Sequence, residues 1–198
     1  MDKKLLPKNF FKNNPLKEIS AAKIAHFTMT AGFEERLNDA IMKEAEKGIP
    51  QQRLDRIAEE RELIAQLDSG EAIVSFMRKK YDVTNRPALC RKALTMQPEV
   101  MPLLLHRLRT SLQDEFVEAA ACILSNADAE YIAQLKGIYQ EIRNPYAQSM
   151  ACLVFGVRQE EDTLPLLLAE YARFRREDPE ERLSQGPLLA IYLLYREA

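Results

Sequence analysis

The sequence predicts an all-α protein built from stacked helix pairs. Three observations carry that prediction. Leucine (26), alanine (23) and glutamate (21) dominate the 198 residues, whereas valine, isoleucine and threonine together number 24; the former are strong helix formers. Glycine and proline stand singly between apolar stripes of helical period, which reads as helices separated by tight breaks. A pattern recurs through the second half of the chain at roughly 30 residues, the mark of a repeat architecture.

The elements follow in order. Residues 1–14 read as a basic, irregular arm: Pro7, Asn9, Asn13 and Asn14 break any long helix, and Phe10 and Phe11 offer a means of docking onto the body. Residues 15–83 read as an N-terminal helical cap. Within it, helices are predicted from Pro15 to Thr30 and from Phe33 to Lys47, with proline in the first turn of one and Gly48 just past the end of the other. A third starts at Pro50. Its stripe is Leu54, Ile57, Ile64 and Leu67, with Arg53, Asp55, Arg56, Glu59, Glu60, Arg61 and Glu62 opposite. A fourth covers Glu71 to Tyr81. From residue 84 to residue 198 the pattern is regular. Helix starts are signalled at Arg86–Pro87, Gln97–Pro98, Asp114, Asp128, Asn144–Pro145, Asp162 and Asp178–Pro179. Asp and Asn there accept bonds from free first-turn N–H groups, and proline in a first turn loses no bond.

The repeat is visible in two alignments. MPLLLHRL at 101–108 matches LPLLLAEY at 164–171, with IAQLKGIY at 132–139 between them. FVEAAACILS at 116–125 matches YAQSMACLVF at 146–155, which pairs Ala121 with Ala151 and Cys122 with Cys152. Blurred copies fall at Leu183 to Leu194 and at Ala88 to Met96. Each unit is a helix pair whose second helix carries small residues that permit close approach. No single pair buries both of its apolar faces, so neighbours stack, giving a right-handed or gently curved α-solenoid. Ala120 and Ala151 are predicted to lie buried between helices.

The unit at 98–126 resembles a HEAT repeat, through Met101, Pro102, Leu104, Leu105 and Leu108, then Asp114, Val117, Ala119, Ala120 and Leu124. The units at 128–157 and 162–194 keep parts of it, in Val154-Phe155-Gly156 and in Leu164, Pro165, Leu167 and Leu168. The resemblance implies a HEAT-like or armadillo-like α-α superhelix, continuous with the cap. One departure matters: Glu118 stands where the family has a basic residue. That departure weakens the Asp–Arg ladder which the family uses between repeats.

Composition excludes several functions. The longest apolar run is nine residues, Pro187 to Tyr195, against the roughly 20 that a spanning helix needs. No apolar stretch follows the N-terminal lysines, and the three cysteines are widely spaced, so a cytoplasmic location is expected. Neither histidine, His26 or His106, has a His or Cys one helical turn away, so no metal site is expected. No phosphate-binding loop or nucleophile elbow occurs. Cys122 and Cys152 read as core, and Cys90, followed by Arg91 and Lys92, is the one cysteine with basic neighbours. Paired glutamates at 34–35, 160–161 and 180–181 fall in first helical turns, where the helix dipole favours them. No catalytic residue and no cofactor is therefore assigned, and the chain leans away from being an enzyme.

Charge is uneven. Residues 78–109 carry a net +6 and residues 110–198 a net −7. Arg78, Lys79, Lys80, Arg86, Arg91, Lys92, Arg107 and Arg109 make the basic segment and are the candidate binding residues. The expected function is that of an interaction scaffold, which binds a protein or peptide on its concave face through exposed second-helix positions such as Glu118 and Gln148. The alternative is nucleic-acid binding along the basic segment. HEAT-like DNA glycosylases use that kind of surface, but the chain lacks tryptophan and its catalytic aspartate is unassigned.

Overall fold

The apolar stripes fold as helices, and no strand occurs among the described residues. The computed structural model describes residues 6, 9–14, 48–177 and 182–196. Its α-helices are α1 (Phe10–Asn13), α2 (Gln51–Gln66), α3 (Gly70–Met77), α4 (Arg86–Leu94), α5 (Gln97–Leu108), α6 (Asp114–Asn126), α7 (Ala129–Ile138), α8 (Pro145–Val157), α9 (Leu164–Glu177) and α10 (Gln185–Arg196). The helices predicted for 15–30 and 33–47, the start at Asp178–Pro179 and His26 lie outside the described residues.

Helix starts follow the local chemistry, with one systematic difference. The Ser69 hydroxyl accepts from the Ala72 N–H at 3.3 Å at the start of α3. Asn144 accepts from the Tyr146 N–H at 2.9 Å, with Pro145 opening α8. These are side-chain caps of the expected kind. Asp128 and Asp162 are not. Asp128 exchanges two bonds with the Gln97 amide, at 2.9 and 3.3 Å. Asp162 lies in a 3-10 turn before α9 and meets Lys136 Nζ at 2.7 Å. Two acids that sequence reads as caps instead link neighbouring pairs.

The helices pack in two rows. In one row α2, α4, α6, α8 and α10 each touch the next, and in the other α3 touches α5 and α5 touches α7. The first helices α3, α5 and α7 make up one row and the second helices the other. Bonds between neighbouring pairs join residues about one period apart. Arg53 to Asp82, Asn85 to the Ile57 carbonyl, Asn144 to the Ser111 carbonyl and Ser149 to the Leu183 carbonyl span 29, 28, 33 and 34 residues. The sequence period is thus a stacking distance. One hydrophobic core runs from Ile64 to Leu194. It crosses residue 84 without interruption, so α2 and α3 share one core with the helices that follow.

Small residues set the spacing where the second row is tightest. A Cβ on Gly156 of α8 would stand 2.3 Å from the Ala190 Cα of α10, and one on Gly186 would stand 2.2 Å from the Ser149 carbonyl oxygen. Both positions require glycine because backbones approach closely there. Ala120 and Ala151 are buried, as their repeat register predicts. At the C-terminal end, Leu6, Phe10 and Phe11 pack against the core, so the N-terminal arm closes the last helix pair.

Candidate functional site

The structure sorts the eight basic candidates into two groups. Arg86 is buried: its guanidinium meets Glu118 at 2.8 Å with 8% of the side chain exposed. Burial opposes its charge, but Glu118 and Tyr81 outweigh that effect and raise its pKa. Lys92 donates to the Ala65 carbonyl near the end of α2, at 3.1 Å, where a cation suits the helix dipole. Arg109 pairs with Glu141 at 2.7 Å. Arg91 is half-buried. These four are tied up in, or partly covered by, the packing between helices.

The others stay open. Arg78 caps the C-terminal end of α3, with Lys79 and Lys80 exposed after it. Arg107 lies exposed on the last turn of α5. Because α3 and α5 are neighbours in one row, Arg78 and Arg107 come together. They line a groove of about 300 Å³ with Glu71, Val74, Ser75, Leu103 and His106. Val74 and Leu103 supply apolar lining, and the two arginines supply positive charge with no ion-pair partner among the described residues. An apolar surface beside unpaired cations suits an anionic group attached to an apolar body.

Sequence reasoning named Arg78 and Arg107 but missed Val74, Ser75 and Leu103. The missing signal is an offset: 107 follows 78 by 29 residues, about one period, so the two lie on adjacent first-row helices. The offset is a partial signal, because Lys80 and Arg109 are also 29 residues apart and Lys79 and Arg109 are 30 apart.

Two expected recognition residues are engaged internally. Glu118 accepts from Arg86 and from the Tyr146 hydroxyl, the latter at 2.8 Å. Gln148 donates to the Ile142 carbonyl at 2.8 Å and accepts from Arg173 at 2.7 Å. An acid on α6 collects a base from α4 and a phenol from α8. Burial and the Glu118 carboxylate push the Tyr146 hydroxyl pKa up.

No protein-family model matches the chain, and no curated protein or solved structure gives a significant match. All three cysteines are buried. Cys152 lies 3.3 Å from the Tyr139 hydroxyl, and burial pushes its thiol up to about 12, the opposite of what a nucleophile requires. Cys90 is 4% exposed, so its basic neighbours in sequence do not give it access to solvent. Glu170 is buried and pairs with Arg173, whose Nε donates at 2.9 Å. Among the described residues no group of His, Cys, Asp and Glu is placed to hold a metal ion, and no helix is long and apolar enough to cross a membrane.

Proposed function

We propose that this chain is a non-enzymatic helical-repeat interaction module, a HEAT-like α-solenoid, that binds a protein or peptide partner. The observation that carries the reading is the α3/α5 groove. Arg86, Arg91, Lys92 and Arg109 are paired or partly covered, while Arg78 and Arg107 flank an apolar surface, have no ion-pair partner among the described residues, and share the groove with the carboxylate of Glu71. Repeat stacking supports a solenoid, since inter-pair bonds recur about one period apart. Such arrays present extended surfaces for partners. The partner's fitting element is an acidic segment with an apolar side chain, because charge complementarity steers association and apolar burial holds it. On this reading the partner lies along the first-helix row. The second-row positions Glu118 and Gln148 are already engaged in bonds inside the array.

A photo-reactive residue placed at Ser75 in the full chain tests this in the native cell. The expected result is one cross-linked polypeptide, lost when Arg78 and Arg107 are both changed to Glu. Cross-linking that ignores the charge reversal would overturn the reading. Anisotropy titration with short DNA and RNA at ~50 and ~200 mM salt runs in parallel. Steeply salt-dependent binding that needs Arg78, Lys79, Lys80 and Arg107 would replace the peptide reading with nucleic-acid binding.

A further inference from the structure

We infer that the notch between α9 and α10 is a recognition site for a Phe-Phe-x-x-Asn segment, filled here by residues 10–14 of the same chain and open to that segment from a second copy. Phe10 packs edge-on to Tyr171 with ring centroids 6.0 Å apart. Phe11 packs on Tyr192 at 4.4 Å and Tyr195 at 5.7 Å. The polar contacts fix the register. The Tyr171 hydroxyl donates to Asn14 Oδ1 at 2.6 Å, and Arg175 donates to the same oxygen at 3.4 Å. The Tyr192 hydroxyl reaches the main-chain oxygens of Asn14 at 3.1 Å and Phe11 at 3.3 Å. Two rings, one side-chain amide and two carbonyls are thus read by three tyrosines and an arginine.

The segment organises itself for this contact. The Asn13 and Asn14 N–H groups donate to the Asn9 and Phe10 carbonyls, both at 3.0 Å. The Asn14 side chain donates to the Phe10 carbonyl at 2.7 Å. Asn9 takes a left-handed φ of 67°, which asparagine tolerates better than most residues. Lys12 and Asn13 point away and are exposed, which defines the two unspecified positions. Among the described residues, those that receive the segment through these ring and polar contacts lie on α9 or α10, 157 to 184 positions away. Nothing in the contact requires the segment to come from the same molecule. A second copy is the one partner certain to carry it. In one chain the tether supplies an effective concentration on the order of millimolar, so dilute chains keep their own arms. Two copies exchange arms reciprocally when that route is broken or outcompeted, giving a closed two-fold pair.

Two full-length variants test this. Phe10→Ala/Phe11→Ala keeps the notch and breaks the segment, while Tyr171→Ala/Tyr192→Ala keeps the segment and breaks the notch. Each alone is expected to sediment as a monomer. Their equimolar mixture is expected to form a one-to-one heterodimer that an excess of a synthetic peptide of residues 6–14 disperses. A mixture that sediments as its separate components up to ~1 mM overturns the inference. Association of either variant alone overturns it too, since another face would be responsible. Far-UV circular dichroism checks both folds. If either has lost helix, Phe11→Ala and Tyr192→Phe replace them, with the same two outcomes read. None of these substitutions touches the α3/α5 groove.

Discussion

Asp82 shows how much one side chain can organise. Its carboxylate, 3% exposed, accepts from Arg53 Nε at 2.9 Å and from the Thr84 N–H and hydroxyl at 3.1 and 2.9 Å. Its own N–H donates to Glu60 at 2.7 Å. Burial pushes the carboxyl up, but the Arg53 and Thr84 bonds outweigh that and hold its pKa at about 2, against an ordinary 3.8. A depressed pKa means the folded state favours the charged form. The contribution is complete above the unfolded value and fades as pH falls toward the folded one. Asp82→Asn is therefore expected to cost about 1–2 kcal/mol at neutral pH, a figure discounted because Arg53 is nearly half exposed. The difference in urea stability between wild type and variant should hold down to about pH 5 and narrow by about pH 3. A difference that stays constant to pH 3 would mean that shape, not charge, carries the effect.

At the scale of elements, two identical substitutions should act in opposite directions. Gly156→Ala puts a methyl group into the Ala190 backbone and should cost about 1–3 kcal/mol by forcing α8 and α10 apart. Gly137→Ala, in α7, meets nothing within 4 Å and should stabilise by about 0.5–1 kcal/mol, because glycine is a poor helix residue. Thermal melts of the two variants decide it; equal effects would contradict the helix spacing. This level was also the most legible in sequence. Proline and asparagine marked the start of α8, glutamine-proline the start of α5, and leucine stripes gave the buried faces, because those signals are local. The groove was half legible. Arg78 and Arg107 stood out as charges, but sequence alone did not separate them from Arg86 and Arg109, whose partners lie 32 residues away. Pairing across repeats depends on stacking, which no local window contains. Glu118 misled for the same reason: it occupies an outward-looking position until the neighbouring helices arrive.

Over the whole molecule, burial is concentrated rather than uniform. In α6 every residue from Phe116 to Ser125 except Glu118 is buried, and in α8 every residue from Ala147 to Gly156 except Gln148. In α2 only Ile57 and Ile64 are. Amides in the middle of α6 and α8 should therefore exchange with solvent slowest and as a group, while those of α2 exchange faster through local opening. Hydrogen exchange read by mass spectrometry tests this, and uniform protection across all three helices would refute it. The arm adds a constraint of another kind. A ribosome makes residues 10–14 well before α10. The segment that closes the C-terminal end must then wait, with both phenylalanines uncovered, until its receptor has emerged. Stacked pairs can fold as they are made, but this closure waits until α10 has been made. A nascent chain truncated before α10 would signal its incompleteness by an unburied Phe11.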